Sequence, residues 1–101
     1  MKIILKDFQK NPTNLLRQLG YQFQHHTSNN QMSFIYPLSQ SGFPRFHIYL
    51  TLLENNLIFN IHLDQKKYTY GKTTRHHGEY KNEDILKKEI ERIKLFFKSN
   101  S

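Results

Sequence analysis

The chain reads as one α+β domain: a four-stranded antiparallel meander with an N-terminal and a C-terminal helix on one face of the sheet. Two alternating runs, residues 46–53 and 57–64, are split by Glu54-Asn55-Asn56, the pattern of a hairpin with one core face and one wet face. A helical apolar stripe closes the chain, with Leu86, Ile90, Ile93 and Phe97 at spacings of three and four. No repeat, linker or low-complexity tract interrupts the 101 residues. Residues 1–101 therefore make a single domain, long enough to bury a core without disulfides or structural metal.

The elements follow in order. In residues 1–10, Ile4, Leu5 and Phe8 fit a helical face, while Ile3-Ile4-Leu5 fits a short edge strand, and a strand or extended chain is preferred. Residues 12–19 read as a short helix with Asn11 as cap, Pro12 at the first helical position and Gly20 at the end. Tyr21-Gln22-Phe23-Gln24-His25 and Met32-Ser33-Phe34-Ile35-Tyr36 alternate as strands around the turn chemistry of Thr27-Ser28-Asn29-Asn30. The hairpin supplies two more strands. A two-residue Asn55-Asn56 turn puts Ile48, Leu50, Leu52, Phe59, Ile61 and Leu63 on the core face, with Tyr49 opposite His62 and His47 opposite Asp64. A three-residue turn would send Asn60 and His62 into the core and is rejected. Residues 83–97 form the last helix, with Asn82 as cap and the stripe above supported by Ile85 and Phe96.

Composition narrows the function classes. The absence of cysteine excludes disulfide, thiolate-metal and cysteine-nucleophile chemistry and suits a reducing compartment. No stretch has membrane-spanning length and the first residues lack a signal-like apolar run, so the expectation is a soluble cytoplasmic protein with no membrane partner. Fifteen Lys and Arg against eight Asp and Glu give a net charge of +7. Such a balance favours RNA or another polyanion as partner, because neutralising phosphates releases counterions.

Two candidate uses fall on one surface. The wet face of the hairpin collects His47, Tyr49, His62 and Asp64, and the long connection 65–81 leaves the sheet directly after Asp64. Its Lys66, Lys67, Lys72 and Arg75 suit phosphate binding, and Tyr68 and Tyr70, with Tyr49 on the sheet, suit base stacking. Folded back over the sheet, the connection would bring His77, or its neighbour His76, with Glu79 to His47, His62 and Asp64. Imidazoles and carboxylates so gathered suit acid/base or metal-dependent hydrolysis. The competing bland arrangement is a solvated hydrogen bond between His47 and Asp64. No spacing matches a standard metal signature, so neither a metal nor a cofactor is assigned, and no Gly-x-Ser-x-Gly elbow supports a serine nucleophile. The His25-His26 pair reads as surface.

Several segments carry a resemblance: Lys6-Asp7-Phe8, Asn11-Pro12, Gly20-Tyr21, Pro44-Arg45-Phe46-His47-Ile48-Tyr49, His62-Leu63-Asp64-Gln65-Lys66 and His77-Gly78-Glu79-Tyr80. Over residues 6 to 92 the chain resembles a group of short uncharacterised proteins predicted in reduced-genome bacteria, departing from them at Tyr68-Thr69, where Pro-Ser is expected. That resemblance implies no activity. Residues 15–24 are also similar to the helix and Gly-aromatic strand of small RNA-targeting toxin domains, without their Gly-Ser-His strand, so no catalytic histidine carries over.

Overall fold

The computed structural model describes residues 1–28, 30–65 and 78–100, the side chains of the last stretch from residue 83 on. Among these residues it has five strands and two helices: β1 (Lys2–Leu5), α1 (Pro12–Gln18), β2 (Gln22–Ser28), β3 (Gln31–Pro37), β4 (Arg45–Leu53), β5 (Asn56–Asp64) and α2 (Gly78–Ser99). The strands form one antiparallel sheet in the order β1-β5-β4-β3-β2. The meander of β2 to β5 is present, but the sheet has a fifth strand. Ile3-Ile4-Leu5 lies against Phe59, Ile58 and Leu57 of β5. The chain thus opens on a strand, and the helix expected at the N-terminus is an internal link from one sheet edge to the other.

Local chemistry explains α1. Asn11 Oδ1 accepts from the backbone N–H groups of Thr13 and Asn14 at 2.9 and 3.4 Å, and Pro12 starts the helix where no donor is needed. At the other end Gly20 has φ +107°, Tyr21 N–H donates to Leu16 O and Gly20 N–H to Arg17 O. This is a Schellman closure, which favours glycine at that position. The helix α2 begins at Gly78, before the expected cap, so Asn82 lies inside it and Glu79 and Tyr80 fall in its first turn. An Asn can cap a helix or ride within it, and sequence alone did not separate the two.

One core joins both helices to the same sheet face. Phe34, Ile48, Leu50, Phe59 and Ile61 from the sheet are buried with Leu15, Leu16 and Leu19 near α1 and Ile93 and Phe97 of α2. Leu52, Leu63, Leu86, Ile90 and Phe96 are partly buried around them. The expected apolar stripes are thus the packed ones, except that Ile85 is exposed.

A polar network lies inside this packing. Glu89 is only 6% exposed, and its Oε2 accepts from the Tyr21 hydroxyl at 2.6 Å. Arg92 donates from Nε to Glu89 Oε1 and from Nη2 to Glu89 Oε2, both at 2.9 Å, and Nη2 also reaches Leu19 O at 3.1 Å. The guanidinium lies over the Tyr36 ring, 5.3 Å from its centre. Tyr21, Glu89 and Arg92 therefore fix α2 to the end of α1.

At the sheet edges, β1 is only four residues long, and β2 is exposed throughout with register shifts between Phe23 and His25 and between His26 and Ser28. Among the described residues no helix is long and apolar enough to cross a membrane.

Candidate functional site

Strand alternation sends every second side chain of β4 and β5 away from the core. Arg45, His47, Tyr49, Asn60, His62 and Asp64 share this outer face, as their parity requires. The pairing differs from the expected one. The turn is Glu54-Asn55, with φ +60° at Glu54, so His47 faces His62, Tyr49 faces Asn60 and Arg45 faces Asp64. This shift of two residues preserves both faces, whereas a shift of one would have inverted them. Its cause lies outside the hairpin. Asn56 Oδ1 accepts from Asp7 N–H at 3.3 Å and Asn55 O from Phe8 N–H at 2.8 Å, so the chain leaving β1 uses both asparagines.

Diagonal reach restores the contacts that the altered pairing would have separated. The His47 ring meets Asp64 Oδ2 through Nδ1 at 3.0 Å, and Tyr49 meets the His62 ring edge-to-face at 5.9 Å. His47 and Tyr49, successive on this face, lie 4.5 Å apart between ring centres. Arg45 Nε lies 3.4 Å from the same Asp64 oxygen, and its guanidinium stacks over Phe43 at 4.6 Å. Both charged partners are partly open to water, so the Arg45–Asp64 pair contributes at most about 1 kcal/mol.

Sequence reasoning missed the other end of this chain. His47 Nε2 lies 2.8 Å from Ser33 Oγ, which in turn lies 2.9 Å from Gln24 Oε1. Gln24, Ser33, His47, Asp64 and Arg45 thus form one continuous hydrogen-bonded row across four strands. The signal for Ser33 was its parity, opposite to Phe34 in β3, together with the pairing of Ser33 with Tyr49. A Ser–His–Asp order is present, but Ser33 sits mid-strand and is completely buried. Both nitrogens of His47 are engaged.

The row has two self-consistent proton arrangements. With neutral His47, Nδ1–H donates to Asp64, Ser33 donates to Nε2, and the Gln24 amide turns its NH₂ toward Ser33. With imidazolium, His47 donates at both ends and Ser33 donates to Gln24 Oε1. The arrangement holds the imidazole in one orientation in either state, with Tyr49 packed beside it.

The structure brings together His47, Tyr49, His62 and Asp64 from the expected set. Lys66, Lys67, Tyr68, Tyr70, Lys72, Arg75, His76 and His77 lie outside the described residues. So does the expected approach of His77 to His62 and Asp64. Among the described residues, no three His, Asp or Glu side chains gather as a group able to hold a metal ion. Comparison with family models, curated proteins and solved structures finds no match.

Proposed function

We propose that this chain is a small basic binding module for RNA or another polyanion, with the polar sheet face as its platform. One observation carries the reading: Tyr49 and the exposed His62 ring lie together on the face opposite the two helices, the face that also carries Arg45. Aromatic faces on a sheet accept bases with little regard to sequence, and cations along the same surface accept the phosphates. The basic, tyrosine-containing segment 66–75 starts two residues after β5 ends and would add Lys66, Lys67, Lys72 and Arg75 to that surface. The net charge of +7 supplies long-range attraction.

Fluorescence anisotropy with a short labelled single-stranded RNA tests this. Binding is expected at low salt, weakening steeply as salt rises. Tyr49→Ala should cost about 1–3 kcal/mol, roughly 5- to 150-fold in Kd. Absence of binding at low salt would remove the proposal.

A second reading, an acid/base or metal-dependent hydrolase using His47, His62, Asp64 and His77, draws on the Ser33–His47–Asp64 order. The burial of Ser33 and the engagement of both His47 nitrogens weigh against it, because a reacting group must meet substrate. Phosphodiester turnover that is lost in His62→Ala would move the reading to this side.

A further inference from the structure

A second surface lies on the helical side of the sheet. The chain leaving β1 and the last turns of α2 enclose a cleft of about 320 Å³, lined by Leu5, Lys6, Phe8, Lys94, Phe97 and Lys98. Its floor is apolar and well fixed. Phe8 and Phe97 rings pack 5.3 Å apart, and Phe97, wholly buried, meets Phe59 edge-to-face at 5.2 Å. The exposed Lys6 and Lys94 line it from opposite walls, and no carboxylate is among the lining residues. Lys94 and Lys98 stand one turn apart on α2, and Lys6 comes from the other wall.

We propose that this cleft binds a small amphiphilic anion: a compact apolar body, aromatic or short-chain acyl, carrying a carboxylate, sulfonate or phosphate. The size is at the lower end of small-ligand sites, and an apolar lining with a few convergent charges is their usual chemistry. The two halves of the lining select the two halves of the ligand. Leu5 and Phe8, both partly exposed, gain from having their apolar surface covered, and the buried Phe97 backs them. The ammonium groups attract a head group held at the edge of a low-dielectric wall, where charge attraction exceeds its value in water. The C-terminal end of a helix carries about half a negative charge, which opposes an anion. Lys6 and Lys94, one on each wall, outweigh it. A polyphosphate chain would leave the apolar floor unused, and a cation or neutral body would gain nothing from Lys6 and Lys94. The site is separate from the polar sheet face, and its fate is independent of RNA binding.

Backbone amide NMR with octanoate, octanol and octylammonium as probes tests it. Octanoate should give saturable shifts at Leu5, Lys6, Phe8 and residues 94–98, and leave Tyr49 and His62 unmoved. Octanol and octylammonium should bind at least about tenfold more weakly. The exposed pair Lys6→Gln with Lys94→Gln should weaken octanoate by about tenfold or more and leave octanol unchanged, with the amide spectrum elsewhere reporting an intact fold. Equal affinity for octanol and octanoate would overturn the proposal. So would octanoate binding untouched by the double substitution, shifts centred on the polar sheet face, or no saturable shift at millimolar octanoate.

Discussion

Removing the Glu89 carboxylate should be among the most damaging single changes in α2, although a charged residue of a basic helix would ordinarily be taken for a solvated one. In Glu89→Ala three hydrogen bonds are lost, one from Tyr21 and two from Arg92. Tyr21 is 2% exposed, so its hydroxyl cannot turn to water, and an unpaired buried donor costs about 1–3 kcal/mol. The Arg92 side chain is 40% exposed and keeps Leu19 O, so its share is about 1 kcal/mol or less. The total is about 1–4 kcal/mol, a large part of the roughly 5–15 kcal/mol that holds a domain of this kind together. It corresponds to a fall in Tm of roughly 4–30 °C. Urea unfolding followed by far-UV circular dichroism measures it. A double-mutant cycle with Tyr21→Phe should show a coupling of about 1–2 kcal/mol between the two sites. A loss below about 1 kcal/mol for Glu89→Ala, or additivity within about 0.5 kcal/mol, would refute the reasoning.

Burial, and then the hydrogen bond to Glu89, hold the Tyr21 hydroxyl well above its ordinary pKa of 10.0. The unfolded chain releases this proton near 10 while the folded one keeps it, so the contribution is complete below about pH 10 and declines above it by up to about 1.4 kcal/mol per pH unit. The stability gap between the wild type and Tyr21→Phe should therefore narrow between about pH 10 and about pH 11; a constant gap would contradict the assignment. On the outer face, Asp64→Ala removes the acceptor of His47 Nδ1, and histidine-selective ¹⁵N NMR should show the Nδ1-protonated tautomer depleted. An unchanged His47 spectrum would mean that Asp64 does not hold the ring.

Periodicity made the core face legible because Ile48, Leu50, Phe59 and Ile61 alternate strictly, and parity survives any even error in the turn. Pairing was less legible. It depended on Asn55 and Asn56 receiving hydrogen bonds from the chain after β1, a long-range contact that no local pattern encodes. The strand β1 itself offers four residues, too few to separate period two from period 3.6. Helix α1 was readable because its signals are local: Asn11, Pro12 and Gly20 act within the span of the helix. The row on the outer face was half legible. His47 and Asp64 announce themselves by residue type, but Ser33 and Gln24 look like ordinary polar strand residues until β2 and β3 are placed beside β4. Glu89 was hidden for the opposite reason. Among the lysines and glutamates of α2 it reads as surface, and only the arrival of Tyr21 from a distant part of the chain turns it into an interior acid.

The two ends of the sheet have a consequence for how the molecule keeps apart from its own copies. Unpaired strands invite another chain to continue the ladder, and proteins discourage this with short or bulged edges. Here β1 gives four residues, and β2 interrupts its ladder twice within seven. A bulge displaces the next N–H and C=O groups from the straight line that an incoming strand needs. Growth of the sheet sideways into fibrils or strand-swapped chains is therefore resisted at both margins by backbone geometry, a protection that does not depend on the repulsion between the +7 charges of neighbouring copies and so persists at high salt.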